Sequence, residues 1–461
     1  MATSTPFWHR LIWAVMFLVV CEGALRKWAF PGVQQQIYLL KDALLMLAYL
    51  GFLFARPPAG AHLSAMTGLK SLVMMTLVYF GLQVWNPNSP SILLSLFGFK
   101  NYLLYVPLAF VVPNMFSSSE DVERKLQKYA CLMIPFAALG LVQFAFPPDH
   151  WINGYVSNDS ENLRMASMFG ESSSEHARTS GTFPFTGGYT TFLSAMVCLG
   201  AALATNKKWR ISGNLWPLLL VVVSIAAMFT TGSRGPIYYL IITSPLMFFI
   251  WRSAGLVPMT MMLRIVAMWA IITVAISLLS SGAIEAYQYR AAHADDPVDR
   301  ILAPITEAYR VLGETPIIGT GMASTHGAAI NIMGTDSFWW LQGVFVEPET
   351  GRILQETGII GFILIYAARV WLLLKAITLG VRFRTPLYAA MSGAIAAFFA
   401  QFLYGIVVNN PTAGIYYWFA AGLLFGMYRL ELQKSARSLK PLRANEERLH
   451  GWQPAAPVRH Q

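Results

Sequence analysis

The sequence predicts an all-α polytopic membrane protein, and its composition is the first observation that does so. Of the 461 residues, 56% are hydrophobic and only 12% are charged, and the mean hydropathy is +0.50. Too few polar side chains remain to cover a soluble globule of this size. The second observation is a series of apolar runs long enough to cross a bilayer, and the third is the distribution of Lys and Arg between those runs.

The apolar runs predict twelve transmembrane helices. They lie at residues 11–25, 36–54, 66–85, 92–112, 126–146, 184–205, 214–231, 236–251, 263–281, 355–375, 386–408 and 412–429. Because twelve helices of about 20 residues use roughly 240 residues, about half of the chain is left for loops and tails.

The short connections between these runs differ in charge. Segments 207–210 and 382–384 are basic, whereas the turns at 85–90 and 407–414 contain neither Lys nor Arg. Connections on the cytoplasmic side of a membrane are enriched in Lys and Arg. Both termini are therefore predicted to be cytoplasmic, and the turns without Lys or Arg are predicted to lie outside.

Two long connections, 147–183 and 282–354, are predicted outside the membrane, within one transmembrane domain of residues 1–430. The second contains an amphipathic helix that begins at Pro297, a residue favoured at the first helical position. Its apolar stripe consists of Leu302, Ile305, Tyr309 and Leu312. Such a helix is expected to lie on the outer membrane surface or to roof a cavity. Residues 431–461 form a basic cytoplasmic tail that is expected to be poorly ordered.

Charged residues recur near the outer ends of the predicted helices, where an unpartnered charge costs roughly 2.5–3.5 kcal/mol. The cations are Arg26, Lys41, Lys100, Arg178, Arg234 and Arg352, and the acids Glu22 and Asp42 lie among them. A pyrophosphate at headgroup depth suits such cations, because Arg binds phosphate through two parallel hydrogen bonds and Lys supplies a point charge. The six cations are therefore candidate pyrophosphate-binding residues. The alternative is that each one reaches from a helix end to the membrane interface.

Four segments follow one another in a distinctive order. They are R-T-S-G-T-F at 178–183, T-G-S-R-G at 231–235, P-I-I-G-T-G at 316–321 and R-I-L-Q-E-T-G-I-I-G at 352–361. In this order, over residues 90–430, the chain resembles bacterial O-antigen ligase and exopolysaccharide polymerase membrane proteins. The E-G-A-L-R-K-W stretch at 22–28 is similar to a subgroup of exopolysaccharide assembly proteins.

The resemblance implies a GT-C-like helical fold in the bacterial inner membrane. It also implies polymerisation or ligation of undecaprenyl-pyrophosphate-linked glycan units at the outer face, by a glycosyltransferase that uses neither a metal nor another cofactor. The implied partners are the lipid-linked oligosaccharide, membrane lipid and other polysaccharide assembly proteins. Nucleic acid is not expected, because the basic residues lie in short loops between apolar spans.

The catalytic base is the point at which this sequence departs from the resembling ligases. Those ligases carry a His nine residues before the Glu of an E-x-G element, and counting back from Glu356 leads to Glu347. A carboxylate can accept the proton of a sugar hydroxyl, so Glu347 or Glu349 is the candidate base and His326 is the next candidate. The alternative is a helix entrance in which Glu349, Arg352 and Glu356 pair with one another.

Two other functions stay open from the sequence. One is a transporter or flippase of lipid-linked glycan, and the other is a non-catalytic protein of envelope polysaccharide assembly. No Walker loop, dinucleotide fingerprint, H-E-x-x-H or G-x-S-x-G motif occurs, so an enzyme here must draw its driving force from the substrate. The outer His residues lack the i, i+4 spacing of a metal pair, and no metal site is expected.

Overall fold

The computed structural model describes residues 6–55, 62–156, 165–168, 176–205, 215–233, 235–258, 260, 297–327, 329–333 and 346–450. Over these ranges the chain is helical, and the only extended pairing is an isolated antiparallel bridge between Met168 and Ala177. The all-α prediction is therefore confirmed.

The longer helices are labelled in chain order. They are α1 (Phe7–Ala24), α2 (Gln34–Ala55), α3 (Thr67–Gln83), α4 (Ile92–Leu103), α5 (Ser119–Phe144), α6 (Thr186–Ala204), α7 (Trp216–Thr230), α8 (Gly235–Ser253), α9 (Pro297–Glu314), α10 (Glu349–Arg382), α11 (Pro386–Gln401) and α12 (Pro411–His450). A π-helical turn, Leu25–Ala29, extends α1.

A helix lies over every predicted span except 263–281, which falls outside the described residues. Six segments are long and apolar enough to cross a membrane. They are Phe7–Ala29, Pro31–Ala55, Ile92–Asn114, Ser119–Phe144, Thr186–Ala204 and Glu349–Arg382. The chain therefore has the helices of a membrane protein, while the count of twelve spans stays a prediction.

The centre of the bundle is formed by α6 and α11, whose residues are almost all buried. Both helices are rich in Gly, Ala and Ser, and small residues let helices approach closely where lipid removes the hydrophobic driving force. At Gly393 a Cβ atom would lie 2.6 Å from the Trp251 ring nitrogen. That nitrogen donates a hydrogen bond to the Ala390 carbonyl at 2.9 Å, which fixes α8 against α11.

The predicted span 92–112 is not one regular helix. α4 ends at Leu103, a turn follows at 104–107, and a short helix, Leu108–Val111, begins after Pro107. Proline has no backbone N–H and crowds the preceding helical turn, which interrupts the hydrogen-bond ladder. The part of this span that carries Lys100 is thereby separated from the part that follows Pro107.

The predicted span 355–375 belongs to a helical hairpin. Helix α10 consists of two helical pieces that meet at Gly358, whose φ of 66° and ψ of −174° no helix interior adopts. In a straight helix residues 349 and 369 would lie about 30 Å apart. In this structure Glu349 Oε2 lies 2.5 Å from Arg369 Nη2, so the chain must reverse direction at Gly358.

The hairpin has a first arm, residues 349–357, and a second arm, residues 359–382. Glycine is required at the reversal, because a Cβ at Gly358 would lie 1.9 Å from the Ile317 carbonyl oxygen and positive φ favours glycine. The predicted span 355–375 therefore corresponds to the second arm, and the reversal in front of it is a feature that the prediction lacked.

The amphipathic helix after Pro297 is confirmed as α9. Its apolar stripe is exposed, with relative exposures of 43% for Leu302, 57% for Ile305, 81% for Tyr309 and 49% for Leu312. The opposite side packs on α10, where Val311 is buried with Val346 and Leu354. An exposed apolar stripe suits the outer membrane surface better than the roof of a cavity.

The start of the tail belongs to the last helix, while the expected poor order of residues 431–461 stays a prediction. Helix α12 continues without a break through His450, so residues 431–450 are helical. Glu431 accepts hydrogen bonds from the backbone N–H groups of Arg384 and Thr385, which ties the start of the tail to the α10–α11 connection. Residues 451–461 lie outside the described part of the chain.

Candidate functional site at the outer helix ends

Three of the predicted pyrophosphate-binding cations meet at one aromatic ring. The centroid of the Tyr38 ring lies 3.9 Å from Lys41 Nζ, 4.8 Å from Lys100 Nζ and 5.5 Å from Arg26 Cζ. The three cations come from the π-helical turn after α1, from α2 and from α4, so the fold brings them together. An aromatic face attracts cations through its quadrupole, and Tyr38 is a site residue that the sequence did not single out.

Two buried carboxylates hold these cations. Glu22 lies 3.0 Å from Arg26 and 2.7 Å from Lys41. Asp42 lies 2.6 Å from Lys100. We name these five charged groups the outer cluster, after the side of the membrane on which the sequence predicts them. Because three cations face two carboxylates, the outer cluster has a formal excess of one positive charge.

The members of the outer cluster differ in accessibility. The Lys41 side chain is 1% exposed, whereas Arg26 is 13% exposed and Lys100 is 23% exposed. Lys41 therefore serves as an internal partner of Glu22, and Arg26 and Lys100 are the cations that an anion can reach.

The outer cluster is anchored to the R-T-S-G-T-F segment. A Cβ at Gly23 would lie 2.3 Å from the Thr182 carbonyl oxygen, so only glycine allows this contact. Thr182 Oγ1 also donates to the Val20 carbonyl oxygen at 2.6 Å. Two stretches that carry the family resemblance, 22–28 and 178–183, are thus in direct contact.

Lys27 is a further cation at the end of the first predicted span, for which the sequence leaves open anion binding or reach to the membrane interface. Its side chain is 3% exposed, and its Nζ donates to the Gly181 carbonyl oxygen at 2.8 Å and to Ser180 Oγ at 3.1 Å. No carboxylate in the described ranges lies within salt-bridge distance of it. The sequence could flag its charge at a helix end, but not its burial.

Arg178 joins the same region to the T-G-S-R-G turn. Its Nε donates to the Thr231 carbonyl oxygen at 3.1 Å, and its Nη2 donates to Ser233 Oγ at 2.9 Å. Arg178 is therefore adjacent to the turn that carries the candidate Arg234. Arg234 itself lies outside the described residues.

The P-I-I-G-T-G segment and the residues after it form a loop, 316–327, that docks on the first arm of the α10 hairpin. The loop is held by the side chain of Glu356, which is fully buried. Its carboxylate accepts from the backbone N–H of Ala323 at 3.0 Å, from Thr325 Oγ1 at 2.5 Å and from Tyr102 OH at 2.7 Å. We call residues 316–327 the docked loop. Glu356 acts as its structural anchor.

The docked loop holds one strained residue. Ala323 has φ 61°, a conformation that costs roughly 1–2 kcal/mol for a residue with a Cβ. The close approach of α4 depends on Gly98, where a Cβ would lie 2.5 Å from Met322 Cβ. Backbone strain of this kind is retained where surrounding contacts define the conformation, often near functional sites.

His326 lies at the end of the docked loop beside the outer cluster. Its ring centroid is 5.1 Å from that of Phe97, and Lys100 Nζ lies 5.2 Å from the same Phe97 ring. Burial, together with the charges of Lys100 and Arg352, lowers the pKa of His326 to about 4. The imidazole is therefore neutral at physiological pH, and the same burial and cations disfavour its protonated form.

Arg352, on the first arm, donates from Nε to the Val346 carbonyl oxygen at 2.7 Å. The alternative in which it pairs with Glu349 and Glu356 is wrong, because Glu356 anchors the docked loop and Glu349 pairs with Arg369. Arg352 forms no salt bridge among the described residues. It therefore remains a cation available to an anion.

The two carboxylates predicted as the base have different surroundings. Glu347 is exposed and precedes the first arm. Glu349 is fully buried, and its Oε1 accepts from the backbone N–H groups of Val407 at 2.8 Å and Val408 at 2.6 Å. Its other oxygen pairs with Arg369. Three protein donors therefore face the Glu349 carboxylate, which favours a structural role, and its assignment as a catalytic base stays a prediction.

Within the described ranges, no group of three or more His, Cys, Asp or Glu side chains is arranged to hold a metal ion. No protein-family model matches this chain, and the search of curated proteins likewise finds no match. Any functional conclusion therefore depends on the residues of the site.

Proposed function

We propose that this protein transfers glycan units from an undecaprenyl-pyrophosphate carrier at the outer face of the bacterial inner membrane, in exopolysaccharide or O-antigen synthesis. The observation that carries the proposal is the convergence of Arg26, Lys41 and Lys100, with one positive charge in excess, beside the neutral His326. A pyrophosphate needs cations, and a sugar acceptor needs a base.

The donor would place its pyrophosphate against Lys100 and Arg26, the accessible cations of the outer cluster. Arg352 is the third cation in this part of the site, since its charge acts on His326 together with that of Lys100. When the anomeric carbon–oxygen bond breaks, negative charge grows on the departing phosphate oxygen. Fixed cations in a poorly hydrated site stabilise that charge strongly.

The acceptor hydroxyl would lose its proton to His326 as its oxygen bonds to the anomeric carbon. The bonding electrons of the carbon–oxygen bond leave with the pyrophosphate, so the reaction balances without a metal or a redox group. Glu347 stays the alternative base, because it is exposed and lies next to the Val346 carbonyl that Arg352 contacts. A base must reach the proton it removes, and the two candidates are separable by substitution.

A transporter or flippase of the lipid-linked glycan is the second candidate function. The observation that favours it is the interruption at 104–107, directly after the segment that carries Lys100. Interrupted helices form binding sites in many transporters. Such a protein would use the same outer cluster to hold the pyrophosphate but would leave the glycosidic bond intact.

Turnover by the purified protein distinguishes these functions. The protein in lipid nanodiscs would receive lipid-linked glycans extracted from its own host cells, and release of polyprenyl pyrophosphate would be measured. We expect release by the wild type, and a large loss in Lys100→Met.

The matched control is Lys125→Met. Lys125 also pairs with an aspartate, at 2.8 Å from Asp121, and its side chain is 24% exposed against 23% for Lys100. Lys125→Met should therefore keep full turnover. Wild-type protein that releases no carrier, but moves the donor across a vesicle membrane, would establish the transporter instead.

A further inference from the structure

A small, partly enclosed cavity lies between α3, α4, α10 and α12. Its volume is about 50 Å³. Polar groups in its lining come from Thr76, Asn101, Tyr105, Arg369 and Tyr417. An apolar cavity in a helical bundle normally stays dry, but this lining is polar on several sides.

Two donors in the lining have no hydrogen-bond partner among the described residues. They are the side-chain amide nitrogen of Asn101 and the hydroxyl of Tyr417. Asn101 is 7% exposed and Tyr417 is 1% exposed. A buried polar group without a partner costs roughly 1–3 kcal/mol, so two such groups around one cavity indicate that something in the cavity accepts their hydrogens.

The size of the cavity decides what that occupant is. A cavity of 150 Å³ accommodates benzene, and this one has only about a third of that volume. A sugar ring or an isoprenoid unit is therefore too large. One water needs roughly 10–15 Å³ of this kind of volume, which allows about three to five waters.

We propose that this cavity is a water-binding site in which a small cluster of waters accepts hydrogen bonds from Asn101 and Tyr417. A buried water needs two to four polar partners, and the lining supplies them from four helices. The proposal does not depend on the function proposed above.

The cavity connects three parts of the molecule. Tyr105 in its wall donates to Asp42 of the outer cluster at 2.9 Å. Tyr102 in its wall donates to Glu356, the anchor of the docked loop. Arg369 belongs to the ion pair of the hairpin. Waters in contact with Arg369 reduce the desolvation that this buried pair otherwise suffers.

Radiolytic hydroxyl-radical labelling tests the proposal, because bound water generates radicals next to the side chains it touches. The full-length protein in nanodiscs would be irradiated, and oxidation of individual tyrosines would be followed by mass spectrometry. We expect Tyr417 to be oxidised several-fold faster than buried tyrosines that have protein partners.

The chain offers two such control tyrosines. Tyr189 donates to the Ala137 carbonyl oxygen and accepts from the Gly140 N–H. Tyr416 lies beside Tyr417 in sequence, and its hydroxyl is bonded to that of Tyr129 at 2.5 Å. All three tyrosines are buried, with exposures of 0% for Tyr189, 5% for Tyr416 and 1% for Tyr417, so the two controls report oxidation in the absence of a polar cavity.

The variant Asn101→Leu tests the source of the oxidation, because it removes one donor and fills part of the cavity. We expect oxidation of Tyr417 in this variant to fall towards the rate of Tyr189. Oxidation of Tyr417 at the rate of Tyr189 and Tyr416 in the wild type would overturn the proposal. Fast oxidation that is unchanged in Asn101→Leu would also overturn it, because bulk solvent would then be the source.

Discussion

Two clusters of charged side chains inside this bundle both combine Asp or Glu with Lys or Arg, but their surroundings in the structure differ. The pair of Glu349 and Arg369 contains one acid and one base, with side-chain exposures of 0% and 4%. The outer cluster contains three cations and two acids, and Lys100 at its edge is 23% exposed. The first is balanced and enclosed, whereas the second has an excess of charge and an accessible side.

The difference shows how to separate structural from binding charges in a membrane protein. An enclosed pair satisfied by its own neighbours, as Glu349 is by Arg369 and two backbone N–H groups, contributes conformational specificity. An accessible group with unbalanced charge is unfavourable without a ligand of opposite sign. Charge balance and exposure therefore distinguish the two better than position along a helix.

The largest effect is expected from breaking the enclosed pair. Arg369→Leu leaves Glu349 charged, buried and without its partner, which should cost about 3–5 kcal/mol of stability. The protein should accumulate poorly and melt earlier in detergent. The double variant Glu349→Gln with Arg369→Leu should recover much of this loss. Equal stability of Arg369→Leu and wild type would mean that the hairpin does not depend on the pair.

The second prediction concerns Arg178, a candidate pyrophosphate-binding cation, and its expected effect is smaller. Arg178→Lys keeps the charge but loses the two hydrogen bonds to Thr231 and Ser233. Hydrogen bonds to charged groups contribute about 1.5–3 kcal/mol, so glycan transfer should fall roughly 10–100-fold while the protein still accumulates. Arg252→Lys, at an exposed position on α8, is the control and should keep wild-type transfer. Full transfer by Arg178→Lys would show that the positive charge of Arg178 matters for transfer and that its two hydrogen bonds do not.

The third prediction concerns the dependence of stability on pH that His326 should cause. Its pKa is lowered from 6.5 to about 4 in the folded protein, so the unfolded chain binds the proton more readily between these values. The free energy of unfolding should therefore decrease as pH falls from about 6.5 towards 4. In His326→Gln this part of the decrease should disappear, as measured by melting temperature against pH. If melting temperature depended on pH in the same way in His326→Gln and in the wild type, the imidazole would be hydrated in the folded protein and its pKa would not be lowered.

The smallest effect is expected at Glu347. If His326 is the base, Glu347→Gln should change transfer and stability little, because this exposed side chain holds no described contact. His326→Gln should abolish transfer while donor binding is kept. The reverse result, with transfer lost in Glu347→Gln alone, would make Glu347 the base and return His326 to a structural role.

The sequence predicted the positions of most helices because long apolar runs and the Lys and Arg between them are local signals. It also predicted that Arg26, Lys41 and Lys100 would share one level. The hairpin at Gly358 could not be predicted, because it depends on contact with the Ile317 carbonyl about 40 residues earlier in the chain. For the same reason Glu349 and Glu347 were equal candidates for the base from the sequence, although only Glu349 is enclosed.

Binding of a polyprenyl pyrophosphate without sugar tests the central claim most directly, namely that excess positive charge in the outer cluster holds the donor. Its affinity would be measured by titration in nanodiscs for the wild type, Lys100→Met and Asp42→Asn, with Lys125→Met as the control. Because one variant removes a cation and the other removes an acid, we expect weaker binding in Lys100→Met and tighter binding in Asp42→Asn. Equal weakening in both would contradict the account, since it would make the outer cluster a structural network like the pair of Glu349 and Arg369.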